Sequence, residues 1–342
     1  STSLLILALA ACNEAVPPPS VATPQCIERV ATEHPVPKIH FTEVSQAMGI
    51  DFIHHNGAQG DKWAPETMLG GVAFFDFDND LDPDLIAVSG TSWEHVSSGK
   101  GPRTIALYRN DQEKGFTEVS QAMGLDFTGY GFSLAIGDYD GDGWKDLFVG
   151  ALGENALYRN EQGAGFRDVS HLLGGACADN TYTVGAAFFD ADNDHDLDLF
   201  AANYLTWNRE VDARANETLD GKIKTYAGPS SFAGAQPCFY RNLGSDGFRE
   251  MAEMAGLHVK SQDKPAGKAL GVLPVDLNND HRLDLLIAND QVRNFAFINT
   301  GQGRFEEQSE DIGFAYNNFG KATAGMGIDV AWLPPAQTLT VA

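Results

Sequence analysis

The chain has 342 residues, 43% of them hydrophobic, which is enough apolar material for a folded core and excludes an acidic disordered protein. Lysine and arginine number 23 against 47 aspartate and glutamate, a formal net charge of −24. A surface this acidic excludes the usual contacts with nucleic acid or anionic membranes, and it stays acidic, at about −16, even with four divalent cations bound.

Residues 1–12 read Ser-Thr-Ser-Leu-Leu-Ile-Leu-Ala-Leu-Ala-Ala-Cys, and a proline- and alanine-rich linker follows at 13–37. Two readings of the apolar stretch stand. Its end, Leu9-Ala10-Ala11-Cys12, resembles the lipobox of bacterial lipoproteins, which would place lipid on Cys12 after cleavage. The basic start of such a signal is missing. Alternatively, Leu4 to Ala11 is a mature strand buried on both faces, too short to span a bilayer. The strand reading is preferred. The four cysteines, Cys12, Cys26, Cys177 and Cys238, fit no zinc spacing. In an extracellular setting they allow three full pairings, and sequence does not choose among them. Free buried thiols are the other reading.

From residue 38 to the last residue, 342, the chain is a repeat array. One element is a short Phe-x-Glu/Asp strand: Phe41-Thr-Glu-Val44, Phe116-Thr-Glu-Val119, Phe166-Arg-Asp-Val169, Phe248-Arg-Glu-Met251 and Phe305-Glu-Glu-Gln308. Another is an aromatic strand ending in Asn: Leu107-Tyr-Arg-Asn110, Leu157-Tyr-Arg-Asn160, Phe239-Tyr-Arg-Asn242 and Phe297-Ile-Asn299. Between them lies an acidic loop flanked on both sides by apolar runs.

That loop occurs four times, with carboxylates or amides at positions 1, 3, 5 and 9. The sets are Asp76, Asp78, Asp80, Asp84; Asp138, Asp140, Asp142, Asp146; Asp190, Asp192, Asp194, Asp198; and Asp276, Asn278, Asp280, Asp284. Hard oxygen ligands on a tight loop suit calcium, which takes six to eight oxygens at flexible angles. Magnesium, with its octahedral demand, suits them less. Position 7 is Asp82, Trp144, Asp196 or Arg282, and this variety fits a backbone carbonyl ligand. Gly141 and Gly143 ease the turn of the second loop. The fourth loop, with Asn278, carries one charge fewer and is expected to bind most weakly. About four calcium sites are expected. Solvated acidic turns without metal are disfavoured, because clustered carboxylates repel.

The fixed order is Phe-x-Glu strand, glycine turn, apolar strand, Asp loop, apolar strand and Tyr-Arg-Asn strand, with no convincing helix. It predicts an all-β β-propeller of four-stranded antiparallel blades, five repeats being visible and the last incomplete. In the fifth, Gly325-Met-Gly-Ile-Asp329 starts as the others do, but Val-Ala-Trp-Leu-Pro-Pro-Ala-Gln replaces the loop. An incomplete blade leaves an unpaired edge. The segment Leu4 to Ala11 is expected to fill such an edge, in its own subunit or in a neighbour, where head-to-tail addition builds filaments. Insertions at 91–104 and 203–237 either project to bind partners or pack.

These features resemble the FG-GAP, or integrin-α-type, calcium-binding propeller repeat. More closely, Pro65-Glu-Thr-Met-Leu-Gly-Gly-Val-Ala-Phe-Phe-Asp76, Gly228-Pro229, the Tyr-Arg-Asn strands and Gly320-Lys-Ala-Thr-Ala-Gly-Met-Gly-Ile-Asp329 resemble bacterial members of the cartilage acidic protein family. The resemblance implies a secreted or surface-exposed, non-enzymatic protein used in adhesion or matrix contacts. It leads to the expectation of an extracellular, calcium-stabilised structural module that self-associates. A lipid-anchored bacterial surface propeller binding a glycan or protein is the alternative, and an enzyme on a propeller scaffold a third. His54 and His55 with Glu66 form a weak zinc or acid–base candidate, with structural hydrogen bonding preferred. Asn216-Glu-Thr218 is the one glycosylation sequon.

Overall fold

A computed structural model describes residues 38–68, 70–177, 181–215, 217–333 and 338–341. The expected apolar strand, the linker, Cys12, Cys26 and Asn216 lie outside the described residues. The chain divides into two units, Ser1–Glu43 and Val44–Ala342. In the first, residues 38–43 form no strand, and Phe41 is exposed. The strand expected at Phe41 is therefore absent. In every other copy the partner strand lies just upstream, and no Tyr-Arg-Asn sequence precedes Phe41.

The second unit contains four four-stranded antiparallel sheets, each a meander in chain order. Sheet 1 is Val72–Phe75, Asp84–Val88, Ile105–Asn110 and Phe116–Glu118. Sheet 2 is Gly131–Gly137, Asp146–Ala151, Ala156–Asn160 and Phe166–Asp168. Sheet 3 is Thr181–Phe189, Asp198–Thr206, Cys238–Asn242 and Phe248–Glu250. Sheet 4 is Ala269–Val275, Asp284–Asn289, Phe295–Gly301 and Arg304–Glu307. The register is the same in all four. The residue before each Asp loop pairs with position 9, as Phe75↔Asp84, Gly137↔Asp146, Phe189↔Asp198 and Val275↔Asp284. The third-strand Asn pairs with the Phe of the fourth strand, as Asn110↔Phe116.

The second strands are buried on both faces, as in Asp84–Val88 and Asp146–Ala151, so they read as unbroken apolar runs. Separate apolar clusters fill the spaces between sheets 1 and 2, 2 and 3, and 3 and 4. The first strands lie closest. A Cβ on Gly137 would sit 2.8 Å from the Phe188 side chain of the next sheet, so this position admits only glycine. Phe74 holds the place in sheet 1 that Phe188 holds in sheet 3. It is 66% exposed, as is Val72, because no described sheet covers that face.

The fifth unit is incomplete, as its sequence predicts. Val330–Leu333 pairs with Thr338–Val341 as a two-stranded hairpin. Asp329 therefore precedes a strand and does not open a loop, since Val-Ala-Trp-Leu continues as extended apolar chain. Ile328 lies against Gly271 on the first strand of sheet 4.

Helices also enter where none was expected. Trp93–Ser98 forms within the first insertion, its Ser92 side chain capping the His95 N–H and Gly99 closing it in the left-handed region. Arg209–Ala215 forms within the second, and Ala252–Ala255 follows sheet 3. Cys177 and Cys238 form a disulfide, which resolves one pairing the sequence left open.

Candidate metal centres

Each Asp loop folds on its own carboxylates. Position 1 accepts the backbone N–H of positions 5 and 6. Asp76 takes those of Asp80 and Leu81 at 3.1 and 2.9 Å, and Asp138, Asp190 and Asp276 repeat the pattern. Position 5 accepts from position 7, as Asp82 N–H to Asp80, Trp144 to Asp142, Asp196 to Asp194 and Arg282 to Asp280. This inward turn needs left-handed backbone at positions 4 and 6. Both have positive φ in every loop: Asn79 and Leu81, Gly141 and Gly143, Asn193 and His195, Asn279 and His281. Asparagine and glycine tolerate that region, whereas Leu81 and the two histidines adopt it at a cost.

Position 9 is buried in all four loops. One oxygen of Asp84 accepts the Phe77 N–H at 3.0 Å and the other the Asn110 N–H at 2.8 Å. Asp146, Asp198 and Asp284 are held the same way, by the position-2 residue and by Asn160, Asn242 or Asn299. This residue therefore bolts the loop to the third strand. Burial pushes the carboxyl of Asp84 up to about 6 and those of Asp146 and Asp198 up to about 7. Neighbouring loop carboxylates add to the shift, and the two N–H donors oppose it.

Position 3 differs. Asp78 Oδ1 and Asp192 Oδ1 are buried and have no hydrogen-bond partner. Burial, then the neighbouring carboxylates, raise the pKa of Asp78 and Asp140. Among the described residues, three groups bring carboxylate oxygens within 4.8 Å of one another: Asp76, Asp78 and Asp84; Asp138, Asp140 and Asp146; Asp190, Asp192 and Asp194. The fourth loop is not among them. Asn278 uses its side-chain oxygen on the Asp280 N–H at 3.0 Å, and Arg282 pairs with Asp280. The side chains at position 7 face other partners: Asp82 accepts from Gln112 Nε2, and Arg282 Nε donates to the Asn299 carbonyl. An orphaned, buried carboxylate oxygen amid other hard oxygens is what a calcium-like cation would satisfy.

Two contributors from the third strand went unread in the sequence, although their repetition marked them. Asn160 Nδ2 donates to its own loop at Lys145 O, 3.1 Å, and to the preceding sheet's loop at Phe77 O, 2.8 Å. Asn242 does the same with Leu197 and Tyr139, and Asn299 with Leu283 and Ala191. Asn110 reaches Pro83 O alone. Arg109, Arg159 and Arg241, which precede Asn110, Asn160 and Asn242, point at the acidic residues nearby.

The histidine candidate does not assemble. Glu66 is buried and accepts from Trp93 Nε1 at 2.7 Å and Tyr226 OH at 3.1 Å. His54 Nε2 accepts the Gly70 N–H, and burial, then His55, lower its pKa. Both histidines line a cavity of about 690 Å³ with Asp51, His95 and Arg103, but Glu66 does not. The two insertions pack together. Trp93 stacks on Tyr130 at 5.3 Å and meets Trp207 at 5.5 Å, and buried Asp212 holds Trp207 Nε1 and the Ala64 N–H.

Residues 76–149 and 138–201 match the FG-GAP-like repeat, so the chain carries two such repeats, running from the first Asp loop into sheet 3. No curated protein matches the chain. A solved structure of an Agrocybe aegerita lectin, described in terms of specific recognition of non-reducing terminal N-acetylglucosamine, is similar with a TM-score of 0.41 at 14% identity. The match covers 73% of this chain and 56% of that one, so the chain spans a little over half of that structure's length.

Proposed function

We propose that this chain, with its FG-GAP-like repeats, is a calcium-stabilised β-propeller module acting outside the cell as a structural or adhesive element. The observation that carries the metal reading is the pair of buried, partnerless oxygens on Asp78 and Asp192, each inside a three-carboxylate cluster. Asp76, Asp78 and Asp84 in the first loop, Asp138, Asp140 and Asp146 in the second, and Asp190, Asp192 and Asp194 in the third would hold the cation through lone pairs that the backbone N–H groups leave free. Calcium supplies charge neutralisation that lets the carboxylates sit together. The chain's own residues pre-fold each loop around position 1 and tie it to the third strand at position 9. Four sheets repeating one register and stacking in sequence support the propeller reading. The Cys177–Cys238 disulfide supports an oxidising compartment. No catalytic step is assigned, and the role is one of scaffold.

The test is thermal unfolding with calcium and with excess chelator. A cation at 100 times its Kd should stabilise the fold by about 2.7 kcal/mol per independent site. Asp140→Asn should remove part of that gain while leaving the chelated protein's midpoint little changed. An unfolding midpoint indifferent to calcium would sink the metal reading.

A second reading, self-association, is supported by the uncovered apolar face of sheet 1 at Val72 and Phe74.

A further inference from the structure

Sheets 1, 2 and 3 each carry a third-strand arginine beside their own Asp loop, but its guanidinium goes to a different place in each. In sheet 1, Arg109 is drawn back onto Asp111, with Nε and Nη2 both 2.9 Å from Oδ1. In sheet 2, Arg159 Nε is shared between position-3 Asp140 at 3.3 Å and Glu161 at 3.6 Å, and Glu161 also holds Arg167 at 2.7 Å. In sheet 3, Arg241 pairs with position-3 Asp192 and stands 3.8 Å from Asp194.

The residue two places after the arginine accounts for the difference. It lies one place beyond the end of the third strand, close enough for Asp111 to accept from Arg109 Nε and for Glu161 to pair with Arg159. It is Asp111 in sheet 1, Glu161 in sheet 2 and Leu243 in sheet 3. Aspartate captures the guanidinium, glutamate shares it, and leucine releases it to the loop. We propose that this residue sets the cation affinity of its Asp loop, by deciding whether the arginine occupies the position-3 carboxylate that the metal needs.

The inference rests on the reading of the loops as cation sites. The Asp192 side chain is only 6% exposed, and its Oδ1 has no partner even with Arg241 on the other oxygen, so the guanidinium does not complete the site. A guanidinium paired with one ligand removes much of that ligand's charge, and ligand charge tunes calcium affinity. Loop 1, whose arginine is held elsewhere, should fill first, loop 2 next and loop 3 last of the three. In loop 3 the incoming cation meets an Asp192 whose other oxygen is already paired with Arg241. Loop 4 falls outside the rule, because Ile298 replaces the arginine.

The experiment is a calorimetric calcium titration of the full chain after chelator treatment. Asp78→Asn and Asp192→Asn identify which binding step belongs to loops 1 and 3. Leu243→Asp should tighten the loop 3 step by roughly tenfold, and Asp111→Leu should weaken the loop 1 step by a similar factor. Arg241→Gln should tighten loop 3 by itself, and Leu243→Asp should then add nothing. Arg241→Gln also keeps the test available if Leu243→Asp does not fold. If no calcium binds to the unaltered chain, the metal reading falls and this proposal with it. If calcium binds but Leu243→Asp, Asp111→Leu and Arg241→Gln leave both steps unmoved, the arginine rule alone is overturned.

Discussion

The position-9 aspartates are buried, and burial raises the pKa of each above the ordinary carboxylate value. Asp146 and Asp198 titrate near 7 in the folded chain, against the ordinary carboxylate value near 3.8. Between those values the folded state binds more protons than the unfolded one, so stability falls as pH rises. Their contribution is fully present below about pH 4 and is lost as pH climbs through 7. Calcium reverses the sign, because it binds the deprotonated carboxylates and competes with protons. We therefore expect the gap in unfolding midpoint between calcium and chelator to widen from pH 5 to pH 7.5. Parallel midpoints across that range would refute it. The ligand types at positions 1, 3, 5 and 9 were legible in the sequence, because spacing within nine residues is a local property. Which of them keeps an oxygen free was not. It depends on N–H donors from Asn110 and its counterparts, which only the folded sheet brings to position 9.

At the scale of the element, the third strand does more than pair. Its asparagine joins its own loop to the loop of the sheet before. Asn160→Ala would leave the buried Phe77 carbonyl and the part-buried Lys145 carbonyl without that donor, and should cost about 1–3 kcal/mol. Asn110→Ala, where only Pro83 O is served and no described sheet precedes, should cost less. Denaturant unfolding of the two variants compares them, and equal losses would deny the inter-sheet role. The recurring order of the four strand types followed from the sequence, but the sheet boundary did not: the Phe-x-Glu strand, read as the first of its unit, pairs with the Tyr-Arg-Asn strand upstream and closes that sheet. The strand at Phe41 did not form. A strand requires a neighbour, and a local motif cannot show whether one is present. The helices at Trp93–Ser98 and Arg209–Ala215 were missed because each is short and lies inside an insertion with no repeat to compare.

Across the whole second unit, the Asp loops and the insertions occupy opposite ends of the strands. In a meander, the links from strand 1 to 2 and from 3 to 4 share one end, and the link from 2 to 3 emerges at the other. Aromatic residues of the two insertions and of sheets 2 and 3 meet at the insertion end, around Trp93, Phe132, Tyr182 and Trp207. Buried Glu66 and Asp212 accept their N–H and O–H donors there, which is why Glu66 takes no part in a histidine site. The uncovered face at Val72 and Phe74 belongs to this scale too. If it drives self-association, Phe74→Ser should lower the sedimenting mass without lowering the unfolding midpoint. A wild-type chain that sediments as a monomer at high concentration would exclude it.

The sequence by itself determined the strand order, the four acidic loops and their oxygen-rich chemistry, because each is written within a few consecutive residues and then repeated. Tertiary structure alone decided the rest. It chose Cys177–Cys238 across 61 residues, fused two insertions into one aromatic cap, and sent three equivalent arginines to three different carboxylates. Those outcomes depend on which distant or competing partner lies nearest once the chain has folded, and no local pattern encodes that distance.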